Sequence, residues 1–166
     1  MISAADTSLA VNVVLGLLAL AWILSRQVQK RPVKASSLRA PVILAAVGLY
    51  ETASFLRDSA PSSGVPVTVL ALLVLGVVIG GALAAWRGSQ VRVWRDTDGT
   101  VVRQGTALTV LLWLVAVGVH LGLDVVIDHA DHRLSGLGSA SLLLYLGVVL
   151  GIQSLVVQRR AQLLPA

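Results

Sequence analysis

Apolar positions along this chain gather into five runs, with most of the charged positions gathered between them. The runs cover about 8–25, 40–56, 65–86, 105–127 and 136–157. Each approaches the roughly 20 residues that a helix needs to cross the hydrocarbon core of a bilayer. The pattern predicts an all-α integral membrane protein, a five-transmembrane-helix bundle that uses residues 1–166 as a single transmembrane domain. No stretch is left over for a separate soluble activity.

The charges orient the bundle. Arg26, Lys30, Arg31, Lys34 and Arg39 follow the first run; Arg87, Arg92, Arg95 and Arg103 follow the third; Arg159 and Arg160 follow the fifth. Only Arg57 and Arg133 fall on the other side. Basic residues concentrate on cytoplasmic loops. The N-terminus is therefore expected outside and the C-terminus inside, in a bacterial cytoplasmic (inner) membrane. Acids lean the other way, with Asp6, Glu51, Asp58, Asp124, Asp128 and Asp131 outside or in the outer half. The first run has no basic segment ahead of it, so it reads as a retained anchor rather than a cleaved signal.

Composition narrows the class. Hydrophobic residues make up 56% of the chain and charged residues 13%, against about 25% charged in soluble domains. The mean hydropathy is +0.85. Such a chain cannot cover a water-facing surface, and the lipid bilayer is its expected first partner. The net charge of +5 could suggest nucleic acid, but topology accounts for it and no nucleic-acid motif is present. There is no cysteine, which excludes disulfides, thiolate catalysis, cysteine-ligated metal and covalent c-type haem through this chain.

The third loop has a pattern of its own. Residues 91–95 alternate apolar and polar, 96–99 read Asp-Thr-Asp-Gly, and 100–104 resume a strand-like run. This predicts a short cytoplasmic β-hairpin between helices three and four. Three runs also carry glycines four apart: Gly76 and Gly80, Gly118 and Gly122, Gly147 and Gly151. Such pairs let helix backbones approach closely. The pair in the fourth run is expected to pack within the chain. The Gly76/Gly80 and Gly147/Gly151 faces are left open to a second copy or to other membrane proteins.

The candidate chemistry lies in the polar residues within and beside the runs. Glu51 sits eleven residues beyond Ala40, about 16 Å of helix rise from the inner side. A carboxylate there needs a partner, neutralisation or water. His120, Asp124 and Asp128 follow one another at single-turn spacing, and His129, Asp131 and His132 come next. Glu51 is expected near His120 or Asp124. One outcome is a structural pair inside the bundle. A second is a divalent-metal site drawn from His120, Asp124, Asp128, His129 and His132, because imidazole and carboxylate suit zinc, copper or iron. A third is a proton or ion relay. A fourth is acid–base catalysis by Glu51, His120 or Asp124 on a lipid-like substrate. A b-type haem would need an axial histidine, and His120 is the only histidine within a run. Tyr145, Gln153, Ser154 and Asn12 read as helix–helix hydrogen bonds.

The stretch from Arg92 to Gly105, running into the apolar segment that holds Trp113, resembles the CcdC-like family of small bacterial membrane proteins. That family takes its name from a cytochrome c biogenesis locus and has no established function. The resemblance implies an accessory place beside cytochrome or haem-protein maturation. It brings no catalytic residues, and without cysteine any such role would be non-covalent. The expectation is thus a non-catalytic accessory or binding protein of the inner membrane. The alternatives are a small ion, proton or metal transporter using Glu51, His120 and Asp124, and an intramembrane enzyme.

Overall fold

A computed structural model describes residues 28–59 and 64–165. The first expected span lies outside the described residues. Among those described, four long helices carry the fold, with a small sheet at one end. Helix α1 is Arg39–Ser59, α2 is Val67–Gln90, α3 is Ala107–Ala130 and α4 is Leu137–Gln162. They correspond to the second to fifth apolar runs. Helices α2, α3 and α4 are long and apolar enough to cross a membrane. Their outward side chains, Val74, Val78, Leu111, Leu121 and Val125 among them, are exposed and apolar, which suits contact with lipid.

Local chemistry sets the helix starts. Pro66 precedes α2, and its carbonyl accepts from the Val69 and Leu70 amides at 3.0 and 3.2 Å. Thr106 and Thr109 cap α3 reciprocally: the Thr109 hydroxyl accepts from Thr106 N at 2.8 Å, and the Thr106 hydroxyl accepts from Thr109 N at 3.3 Å. Before α4 the chain makes a 3-10 turn at His132–Leu134 and reverses at Gly136, whose φ of 97° favours glycine.

Helix α4 is the hub. It packs along α1 on one side and along α2 and α3 on the other, while α3 also lies against α2. Small residues make this possible. At the α1–α4 crossing, a Cβ on Gly48 would collide with the Leu143–Leu144 backbone, and one on Gly147 with the Ala45 backbone. Gly80 lies under the Tyr145 ring, and Gly88 against Val156. The Gly76/Gly80 and Gly147 surfaces left open for a partner are therefore filled from within the chain, by α3 and α4 for the first and by α1 for the second. Gly151 is in ordinary contact with Pro41, 3.7 Å from its Cβ.

The expectation for Gly118 and Gly122 is overturned. Both are exposed, and a Cβ on either would meet nothing within 4 Å. The inward stripe of α3 is Thr109, Leu112, Ala116, His120 and Ile127. Gly118 and Gly122 each stand two residues from His120, about 200° around the helix. With His120 on the packing face, the glycines point away from it.

At the end shared by the α2 and α4 C-termini, three short strands form an antiparallel sheet in the order β1–β3–β2: β1 is Arg31–Pro32, β2 is Arg92–Arg95 and β3 is Val101–Gln104. Strands β2 and β3 pair from Arg92 opposite Gln104 to Arg95 opposite Val101, with Gly99 at φ 81° in the turn. Strand β1 adds an edge that the hydrophobic pattern does not announce, placing Arg31 opposite Arg103. A two-stranded hairpin is marginal alone. This one is held by β1, by Arg95 Nε donating to Pro165 O at 3.3 Å, and by Lys30, which pairs with Asp96 and lies 5.9 Å over the Trp94 ring.

Candidate functional site

The best-formed site lies at the opposite end, where α3 delivers His120 and Asp124 to the first turn of α4. The first amides of a helix have no intrahelical acceptor, and the dipole there favours negative charge. Asp124 answers both needs, accepting from Gly138 N at 2.8 Å. The approach is so close that a Cβ on residue 138 would overlap the carboxylate.

One turn earlier on α3, His120 is buried and contacts the same residue. Its Nε2 lies 3.2 Å from Gly138 O. A carbonyl only accepts, so the ring proton sits on Nε2. The imidazole stacks on Tyr145, with centroids 4.5 Å apart and planes at 24°. Tyr145 in turn donates its hydroxyl to Ala116 O at 2.6 Å, which ties α4 back to α3. Ser141 Oγ donates to Gly138 O at 3.2 Å, and Thr52 Oγ1 donates to Gly48 O at 2.6 Å while lying 3.3 Å from Ala140 O.

Beside these groups is a cavity of about 240 Å³. Leu72, Leu73, Val77, Leu123, Ile127 and Leu144 supply much of its wall, and Thr52, His120, Asp124, Ser141 and Tyr145 its polar side. Each of those five polar side chains bonds to a backbone group, as polar groups in a hydrocarbon environment must. The result is a mostly apolar space with a hydrogen-bonded edge.

The structure does not bring Glu51 into this site. Glu51 is exposed on α1, and the cavity is lined by its neighbour Thr52. Helix α1 docks on α4 through the Gly48–Thr52 face, and the next position is turned about 100° from Thr52. Nor are the candidate metal ligands gathered. Among the described residues, no group of three or more His, Asp or Glu side chains could hold a metal ion. His120 and Asp124 are committed to the α4 backbone. His129 is exposed and its Nδ1 bonds to Val125 O at 2.7 Å. Asp131 accepts from Arg133 N at 3.0 Å, and His132 is exposed. Asp128 is half-buried, with Oδ1 unpaired among the described residues.

Two features escape the sequence pattern. The first is the Tyr145–His120 stack, which joins residues on different helices. The second is Arg87, which reads as a loop cation because it follows the end of an apolar run. Helix α2 in fact continues to Gln90, and Arg87 is only 1% exposed. Its Nη2 donates to Gln153 Oε1, while Nε and Nη1 have no acceptor among the described residues.

Comparison with family models, with curated proteins and with solved structures finds no match for this chain.

Proposed function

We propose that the protein is a non-catalytic binding protein of the bacterial inner membrane that holds a small apolar chain or ring in the cavity between α2, α3 and α4. One observation carries this reading. The cavity is open space, yet the polar side chains along it already serve the backbone. The hydroxyl and ring N–H donors are spent on carbonyls, and among the described residues no third carboxylate or imidazole joins His120 Nδ1 and Asp124 Oδ2 to make an ion site, so the site fits retention of an apolar group better than ion passage. Its volume of about 240 Å³ lies below the roughly 300–1,000 Å³ of drug-sized ligand sites. That suits one acyl or isoprenoid segment rather than a whole lipid.

In this reading the chain crosses the membrane five times, with the sheet and the C-terminus in the cytoplasm. The basic residues support that orientation: Lys30, Arg31, Arg92, Arg95, Arg103, Arg159 and Arg160 all gather at the sheet end. The cavity then falls in the outer half of the bilayer. The CcdC-like resemblance extends the reading to an accessory role beside cytochrome or haem-protein maturation.

The test is a diazirine-bearing palmitate probe, photolysed with the protein in nanodiscs and mapped by peptide mass spectrometry. Crosslinks should concentrate on residues 72–78 and 123–127. Val77→Trp, which fills the cavity, should remove them without lowering the melting temperature. Crosslinks spread evenly over the outer faces of α2 and α3, unaffected by Val77→Trp, would refute the reading.

A further inference from the structure

A second unusual group lies away from the cavity, at the sheet end. Arg87 is buried to 1% exposure in the last turn of α2, and two of its three guanidinium nitrogens lack an acceptor among the described residues. A guanidinium carries five N–H donors and cannot shed its charge. Burying it without an anion is costly. Its protein contact is Gln153, a neutral amide.

The surroundings add charge of the same sign. Two groups act on Arg87 electrostatically, the Tyr145 hydroxyl first and, second, the cation Arg103, half-buried on β3. Arg31 stands directly opposite Arg103 across the β1–β3 ladder. Like charges at opposed strand positions are destabilising. Burial first, and Arg31 second, push the Arg103 guanidinium below its ordinary range. Among the described residues, the carboxylates of the hairpin are already engaged. Asp96 is engaged by Lys30, and Asp98 accepts from Thr100 N at 2.9 Å. Topology accounts for cations on this side of a membrane, but solvated loop arginines satisfy that rule equally well. It does not account for a buried one with free donors beside two more.

We propose that Arg87, Arg103 and Arg31 form a binding site for a phosphate-bearing anion at the membrane surface. Guanidinium forks match phosphate oxygens in geometry and charge. Basic recesses at the cytoplasmic ends of transmembrane helices take acidic headgroups. The phosphate arrives either on an acidic phospholipid or free in solution, and the same three arginines serve both.

The full chain is placed in nanodiscs of phosphatidylcholine with a rising fraction of phosphatidylglycerol, and bound lipid is counted by native mass spectrometry. In parallel, inorganic phosphate is titrated against the protein in lipid-free detergent while the melting temperature is followed. Saturable retention of phosphatidylglycerol over phosphatidylcholine, without a phosphate response, assigns the site to a headgroup. A saturable phosphate response without lipid preference assigns it to the free anion. Arg103→Gln should weaken whichever binding is seen by about tenfold or more, whereas the same charge change at the exposed Arg92 should alter it by less than about twofold. Arg87→Met should abolish it; Arg103→Gln keeps the test decisive if that variant does not fold. Absence of saturable binding in both arms overturns the proposal. So does equal loss in Arg92→Gln and Arg103→Gln, which would mark a diffuse surface field.

Discussion

The two ends of the bundle handle buried polar groups in opposite ways. Around the α4 N-terminus, His120, Asp124, Ser141, Thr52 and Tyr145 each reach a backbone partner, and the space beside them is mostly apolar. At the sheet end, Arg87 is buried more deeply still, but only one of its nitrogens is satisfied among the described residues. An unpaired polar group away from water costs several kcal/mol. The first cluster is a finished frame around a cavity, and the second is incomplete until an anion arrives. Depth of burial alone does not separate the two; the count of satisfied donors does.

The largest effect should come from breaking the frame. Asp124→Leu removes the acceptor of Gly138 N and should lower stability by about 2 kcal/mol, read as a drop in melting temperature in detergent. Asp124→Asn, which keeps an acceptor, should recover at least half of that. No change in the Leu variant would mean the frame is not load-sharing. Tyr145→Phe deletes one buried bond to Ala116 O and should cost about 1 kcal/mol in the same assay.

At the sheet end the sign should differ. Arg87→Met exchanges an unsatisfied cation for an apolar chain, and in lipid-free detergent stability should rise or stay within about 1 kcal/mol of the parent. A loss of about 3 kcal/mol or more would show that Arg87 is already fully paired, and the contrast would disappear. The smallest effect should be a pH dependence of the sheet. The hydrogen bond from Lys30, then that from the Thr97 amide, holds the Asp96 carboxyl below its ordinary range. A depressed carboxyl contributes stability above its unfolded pKa and loses it as pH falls below about 4. Hydrogen-exchange protection of the β2 and β3 amides, taken relative to the intrinsic rate at each pH, should therefore fall between about pH 5 and pH 3, and Asp96→Asn should flatten that trend.

Three long apolar helices are legible in the sequence because lipid demands continuous runs of apolar residues with internally paired backbones. Which face of each helix looks inward is not legible. In a soluble protein the apolar stripe marks the core, but here the exterior is as apolar as the interior, so hydrophobic periodicity carries little information about faces. Gly118 and Gly122 therefore look like a packing surface when the inward side is that of His120. For the same reason Glu51, the more conspicuous residue, draws attention that belongs to Thr52. Arg87 is hidden by its own charge, which reads as a loop although α2 runs on past it to Gln90. Strand β1 has two residues, too few to show any period. The stripe of His120 and Asp124 is visible as a stripe, but its role is not. Its acceptor and donor are the carbonyl and amide of Gly138, eighteen and fourteen residues away, and no side-chain pattern reports a backbone partner.

The central claim is that the cavity beside His120 and Tyr145 is a ligand site rather than a packing defect. An experimental density map of the full chain, purified from its own membrane in mild detergent, tests it most directly. Continuous elongated density is expected between Leu72, Val77 and Leu123, ending near the His120–Tyr145 stack, with both rings in contact with it. A cavity closed by repacked side chains, or one holding only discrete waters, would contradict the account.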